Sequence, residues 1–231
     1  MHVRTVIVSA AAMLLAACTA AESPQTQANE LAERLPTGWT TDVVEDEQAG
    51  TYVVAAPETS AVWHVGGTTD EVRAATEGTS WATFWLSAIE GATSESSNVR
   101  TTVADPSSVP DSVVSWHVNV NAQDAALELR NLDELEESVV ERFEAQDLEV
   151  VDSGIAGWAG REVVTVSFEV PAEVFAGEDR LVRQWFIPER NPDVMWSFTC
   201  DAPDGPHATD ELCRTGLEGF RTAPDGPDPV N

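Results

Sequence analysis

Lysine is missing from this 231-residue chain; all 12 basic residues are arginine, set against 40 aspartates and glutamates for a formal charge of −28. Without lysine there is no Schiff-base amine, no Ser–Lys dyad and no P-loop lysine. A surface this acidic repels phosphate backbones, so no nucleic-acid partner is expected. It also speaks against holding anionic lipid by charge alone. The chemistry-bearing motifs are missing too. There is no Gly-x-Ser-x-Gly, no His-Glu-x-x-His, no Cys-x-x-Cys, no glycine-rich phosphate loop and no EF-hand loop. We therefore expect no metal, no cofactor and no enzyme. Three histidines lie beyond the N-terminal segment. His64 and His117 each neighbour a tryptophan on a predicted strand, and His207 sits near Asp210 and Glu211 without ligand spacing.

Cysteine is scarce, and the three that exist sort by position. Residues 1–17 read as a secretory leader: Arg4 supplies the positive start, and Val6 to Ala17 is apolar or small apart from Ser9. At about 12 residues that run is too short to span a bilayer. It ends in Leu15-Ala16-Ala17-Cys18, which resembles the lipobox of bacterial lipoproteins. The resemblance implies cleavage before Cys18 and lipid on its thiol. The mature protein would then be anchored through lipid at the extracytoplasmic face of the cell membrane. Read as a generic leader alone, the same residues give a freely secreted protein. Residues 18–34 are rich in Ala, Gln, Thr, Ser and Glu and are expected to be a flexible tether. Residues 35–222 form one globular domain, and the Pro/Gly/Asp-rich residues 223–231 a frayed tail. With Cys18 lipidated, Cys200 and Cys213 remain to pair.

Within the domain, periodicity organises the elements. Val194 to Cys200 alternates, with Val194, Trp196, Phe198 and Cys200 on one face, the mark of a half-buried strand. Thr209 is read as a helix cap, and Cys213, Leu217 and Phe220 then fall on one helical face. Both cysteines point inward, so a Cys200–Cys213 disulfide is predicted; a loop of this length contributes about 3 kcal/mol. Val113 to Asn121 reads as a strand with one wet face, and Asn131 with Glu134 opens a helix as a capping box. Trp81, Phe84, Trp85, Ala88 and Ile89 make a helical stripe that either packs into the core or lines an aromatic groove. Strands with few helices between them define an α+β fold, an antiparallel sheet flanked by helices.

The order of elements from Leu35 to Phe220 resembles the PsbP-like fold. The resemblance rests on Pro36-Thr37-Gly38-Trp39, the helix from Asn131, the strand Val163–Val170, the hairpin leading to Trp196-Ser197-Phe198-Thr199-Cys200, and the closing Cys213–Phe220 helix followed by Arg221-Thr222. It implies an α/β/α sandwich shared with PsbP, Mog-type Ran-binding proteins and actinobacterial lipoproteins of the LpqN/LpqT type. These proteins bind or assemble rather than catalyse, and no functional residue carries over. The expected function is a non-catalytic, membrane-anchored lipoprotein whose acidic domain binds a protein or envelope component. The alternative is a carrier of a small apolar or lipid ligand in a cleft at Trp81, Phe84 and Trp85.

Overall fold

The computed structural model describes residues 23–78, 86, 89–93, 97–105, 113–122, 131–172, 179–188, 194–203 and 208–222. The first helix overturns an expectation. Pro24–Arg34 is helical (α1), not part of a tether. Ser23 caps it by accepting from the Thr26 N–H at 3.2 Å, and Pro24 stands in the first turn, where its missing N–H costs nothing. Ala28 and Leu31, three residues apart, are buried against Val53. The polar composition hid this anchor because two apolar residues suffice to dock a helix whose other faces are solvated.

Two antiparallel sheets follow. The smaller contains β1 (Trp39–Asp46), β2 (Gly50–Pro57) and β10 (Arg221–Thr222), in the order β1-β2-β10. The larger contains β3 (Ala61–His64), β4 (Val99–Asp105), β5 (Val114–Ala122), β6 (Glu149–Trp158), β7 (Arg161–Val170), β8 (Arg180–Pro188) and β9 (Val194–Pro203). Its order is β3-β4-β5-β9-β8-β7-β6. Helix α2 spans Thr69–Thr76, α3 Leu132–Glu144 and α4 Ala208–Glu218. The chain is thus an α+β protein of antiparallel sheets with helices packed on them.

The main core lies between the two sheets and beneath α4. Trp116, Trp196, Phe198 and Phe220 meet Tyr52 and Val54 there. Tyr52 and Trp196 pack with ring centroids 5.1 Å apart, Trp196 and Phe220 at 5.5 Å. Burial pushes the Tyr52 hydroxyl pKa up, and that hydroxyl donates to the Arg100 carbonyl at 3.0 Å. The predicted disulfide joins Cys200 on β9 to Cys213 on α4, with 5.7 Å between Cα atoms. It pins α4 to the sheet where Gly216 and Gly219 let the backbones close. A Cβ at Gly219 would stand 2.2 Å from the Ala55 Cβ.

Three further expectations need correction. α4 begins at Ala208, so Thr209 stands inside it rather than capping it. β9 is not half-buried but central, paired with β5 and β8, and Met195 and Ser197 on its second face are buried as well. The reason is α3: Leu135 and Val139 cover Val164, Val166, Phe186 and Met195 on that second face. Asn131 does cap α3, accepting from the Glu134 N–H at 2.8 Å. The wet face of β5 is also only partly wet, with Ser115 buried and His117 partly so, because Asp201 on the neighbouring β9 lies against both.

Of the aromatic stripe, Trp81, Phe84 and Trp85 lie outside the described residues, as do Cys18, the leader, His207 and residues 223–231. Ile89, at the far end of the stripe, is fully buried beside Trp63, Ala92, Ala104 and Val113.

Candidate binding site: an arginine-lined groove at Trp158

The β6–β7 hairpin turns through Ala159 and Gly160, with φ of 47° and 79°. Two consecutive positive φ values match the twist of a two-residue hairpin, at a strain for the non-glycine residue. The turn closes on Trp158, whose indole Nε1–H donates to the Leu217 carbonyl at 2.9 Å and whose ring stacks on Phe220 at 5.8 Å. Trp158 is thereby fixed as the floor of a groove between the β6–β8 surface and α4. The groove encloses about 560 Å³ and is lined by Trp158, Trp185, Leu217, Arg183, Arg214 and Arg221 among others. A second groove of about 400 Å³ adjoins it, sharing Ala159 and Arg221 and adding Arg34 from α1.

Cations gather here. The Arg161 guanidinium lies 4.6 Å from the Trp158 ring centroid and that of Arg221 5.7 Å, both within cation–π range. Arg183 pairs with Asp210 at 2.8 Å, Arg214 with Glu218 at 2.8 Å and Arg34 with Glu30 at 3.5 Å. Arg221 turns to carbonyls instead, donating to those of Glu218 and Phe220. Burial, then the charge of Arg34, pulls the Arg221 pKa down; Glu218 opposes the shift and Arg161 adds to it. The site is a positive pocket on an acidic protein.

A second polar cluster lies on the other face of the large sheet. Asp201 on β9 pairs with Arg180 at 2.5 Å, accepts from the Ser115 hydroxyl, and stands 3.7 Å from His117 Nε2. Arg180 also donates to the Val113 carbonyl at 2.6 Å, and His117 Nδ1 meets the Thr102 hydroxyl at 3.1 Å. Burial alone would raise the Asp201 pKa. His117, Arg180 and Ser115 outweigh it, and the net direction is down. Serine, histidine and aspartate are all present, but in the wrong order for acyl transfer. The carboxylate sits between the other two, so the serine bonds to it and not to the imidazole. Ser115 and Asp201 are also almost wholly buried.

His64 lies 2.9 Å from the Thr101 hydroxyl and 3.5 Å from Asp42, whose pKa its hydrogen bond lowers. Among the described residues no group of three or more histidine, cysteine, aspartate or glutamate side chains could hold a metal ion. Among the same residues no helix is long and apolar enough to cross a membrane.

Sequence reasoning paired Cys200 with Cys213 but missed both polar clusters. For the groove a signal existed: in a lysine-free chain, Arg161, Arg183, Arg214 and Arg221 stand close to tryptophans or to the closing helix. For Asp201 there was none, because Arg180 and Ser115 reach it only through strand pairing.

No protein-family model matches the chain, and no curated protein matches it. Solved structures similar to it include cyanobacterial PsbP (CyanoP) from Synechocystis sp. PCC 6803. That match has 12% identity and a TM-score of 0.44, over 78% of this chain and 91% of that one. The Ran-binding protein Mog1p of Saccharomyces cerevisiae matches at 12% identity and a TM-score of 0.46, over 80% of this chain and 96% of that one. A Pseudomonas aeruginosa protein of unknown function, described as a putative regulator, matches at 12% identity and a TM-score of 0.31, over 71% and 83%.

Proposed function

We propose that this protein is a non-catalytic lipoprotein, anchored through Cys18 at the extracytoplasmic face of a bacterial cell membrane, and that its domain binds an envelope component or protein. The observation that carries the binding role is the Trp158 groove. Its volume falls within the range of small-ligand sites. Its walls present indoles and guanidiniums, groups that hold rather than transfer, and the carboxylates of Asp210 and Glu218 are each tied to an arginine. The anchor rests on the lipobox-like Leu15-Ala16-Ala17-Cys18. The lipoprotein branch of the PsbP-like group, the LpqN/LpqT type, fits both features.

The helical start at Pro24 shortens the leash. Only residues 19–23 separate Cys18 from α1. Their covalent reach is roughly 20 Å, which keeps the domain against the membrane rather than well above it.

The test is cross-linking in intact cells, recovery of the anchored protein and mass spectrometry, with Cys18→Ala as the control. One dominant partner that disappears with Cys18→Ala supports the reading. Release of the wild-type protein into the medium, or the same partner in both, contradicts it. The carrier reading for Trp81, Phe84 and Trp85 predicts co-purifying lipid and a tryptophan fluorescence response to lipids. A clean mass spectrum with no response would remove it.

A further inference from the structure

We infer that the Trp158 groove is a site for a phosphate ester bearing an apolar substituent, an assignment that rests on the binding role proposed above and names its ligand chemistry. Three observations converge.

The first is the placement of the cations. Arg34, Arg161, Arg183, Arg214 and Arg221 come from five separate elements, α1, β7, β8, α4 and β10 respectively: Arg161 and Arg221 lie over the Trp158 ring, Arg183 and Arg214 line its groove, and Arg34 lines the adjoining one. They are five of the 12 basic residues in a chain of charge −28. Four of them line the walls of the two grooves, which also contain three carboxylates, Glu30, Asp210 and Glu218, paired with Arg34, Arg183 and Arg214. Arg221 donates to two carbonyls rather than to any of these three. Its lowered pKa reflects burial together with the charges of Arg34 and Arg161, a repulsion that a bound anion would relieve.

The second is directional. Arg183, Arg214 and Arg221 line one groove from a strand, a helix and a short edge strand. Guanidiniums arriving from three sides suit the several oxygens of a tetrahedral phosphate better than the two coplanar oxygens of a carboxylate.

The third is the apolar half. Trp158, Trp185, Ala156 and Leu217 line the same space. They offer contact to an alkyl or aryl body, and inorganic phosphate would leave that surface unused. The negative field of the whole protein disfavours anions at long range, so binding must come from short, direct contacts inside the groove.

A soluble ester and a phospholipid headgroup reached across the short leash share this chemistry; the experiment separates the two. The full chain is placed in phosphatidylcholine vesicles, and its tryptophan fluorescence is followed during titration with hexyl phosphate, hexanoate and hexanol. A parallel preparation adds phosphatidic acid to the vesicles. Saturable quenching by hexyl phosphate, weakened about tenfold or more in Arg183→Gln/Arg214→Gln and unchanged in Arg142→Gln on α3, is the expected result, a difference near 1.4 kcal/mol. A response confined to phosphatidic acid vesicles, lost in the same double variant, supports the site with a lipid source. Should the double variant not fold, Arg214→Gln alone is read, since that side chain is 62% exposed. Equal binding of hexanoate, insensitivity to the groove variants, or no response to either phosphate source overturns the assignment. If the phosphate probes fail while the cross-linking test still yields an anchor-dependent partner, the ligand assignment falls and the binding role stands. If the probes bind but no such partner appears, the ligand assignment stands and the anchor-dependent protein partner falls.

Discussion

Two arginines in this molecule meet opposite fates. Arg180 is 3% exposed and lies against Asp201, which also takes a hydrogen bond from Ser115 and faces His117. Arg221 is only partly buried, its neighbours include two more arginines, and its hydrogen bonds go to backbone carbonyls. The first is a closed network in which each charge meets its opposite. The second leaves positive charge gathered at the mouth of a groove. A buried network of opposite charges contributes structure, because its groups are held against one another away from water. Unbalanced charge beside an aromatic floor is what a binding site needs. The contrast places the Asp201 cluster with the fold and is the ground for proposing the Trp158 groove as the binding site.

The largest effect that would sharpen this contrast lies in the cluster. Asp201→Ala leaves Arg180 buried without its carboxylate and should cost about 3–5 kcal/mol, read as a lower midpoint in urea denaturation. The folded-state pKa of Asp201 lies below its unfolded value near 3.8. The stability it contributes is therefore fully present above that value and is lost as pH falls further, through the folded pKa. Wild type should lose stability in that acid window, and Asp201→Ala should show a shallower loss there. A midpoint as high in Asp201→Ala as in wild type would break the structural half of the comparison.

Next is the disulfide, which touches both regions: Cys200 adjoins Asp201, and Cys213 sits on the helix that walls the groove. Reduction, or Cys200→Ser with Cys213→Ser, should cost about 3 kcal/mol. It should also weaken ligand quenching as α4 loosens. Differential scanning calorimetry with and without reductant measures the first part.

Changes in the groove should barely affect stability. The Arg214–Glu218 pair joins one helical turn to the next and is more than half exposed on both sides. Its loss in Arg214→Gln should move the unfolding free energy by less than about 0.5 kcal/mol. A drop of several kcal/mol would make this arginine part of the scaffold. Of similar size and of opposite sign, Ala159→Asn should raise stability by a few tenths of a kcal/mol, because asparagine followed by Gly160 suits the left-handed turn better than alanine does. The thermal midpoint reports it.

How much of this was legible in the sequence depends on range. Alternation along Val194–Cys200 and the helical spacing of Cys213, Leu217 and Phe220 predicted the disulfide, because both patterns are local. The antiparallel α+β architecture followed from the same kind of signal. What failed needed partners distant in sequence. Nothing around Met195 shows that α3 will cover it, and nothing in Gln27-Ala28-Asn29-Glu30-Leu31 announces Val53 beneath. The groove and its neighbour are assembled from short runs on five elements between α1 and β10, and nothing local to any one run shows that it will meet the others. The aromatic groove expected at Trp81, Phe84 and Trp85 rested on a helical stripe. Its last member, Ile89, lies fully in the core, so periodicity shows an apolar face without saying what meets it.

The most direct test of the central claim is in-cell cross-linking with three forms of the anchored protein: wild type, Arg183→Gln/Arg214→Gln, and Arg142→Gln. The account predicts that the groove variant loses the captured partner or ligand while its unfolding midpoint stays within error of wild type, and that Arg142→Gln retains it. Undiminished capture by the folded groove variant would contradict the account and place the binding surface elsewhere on the domain.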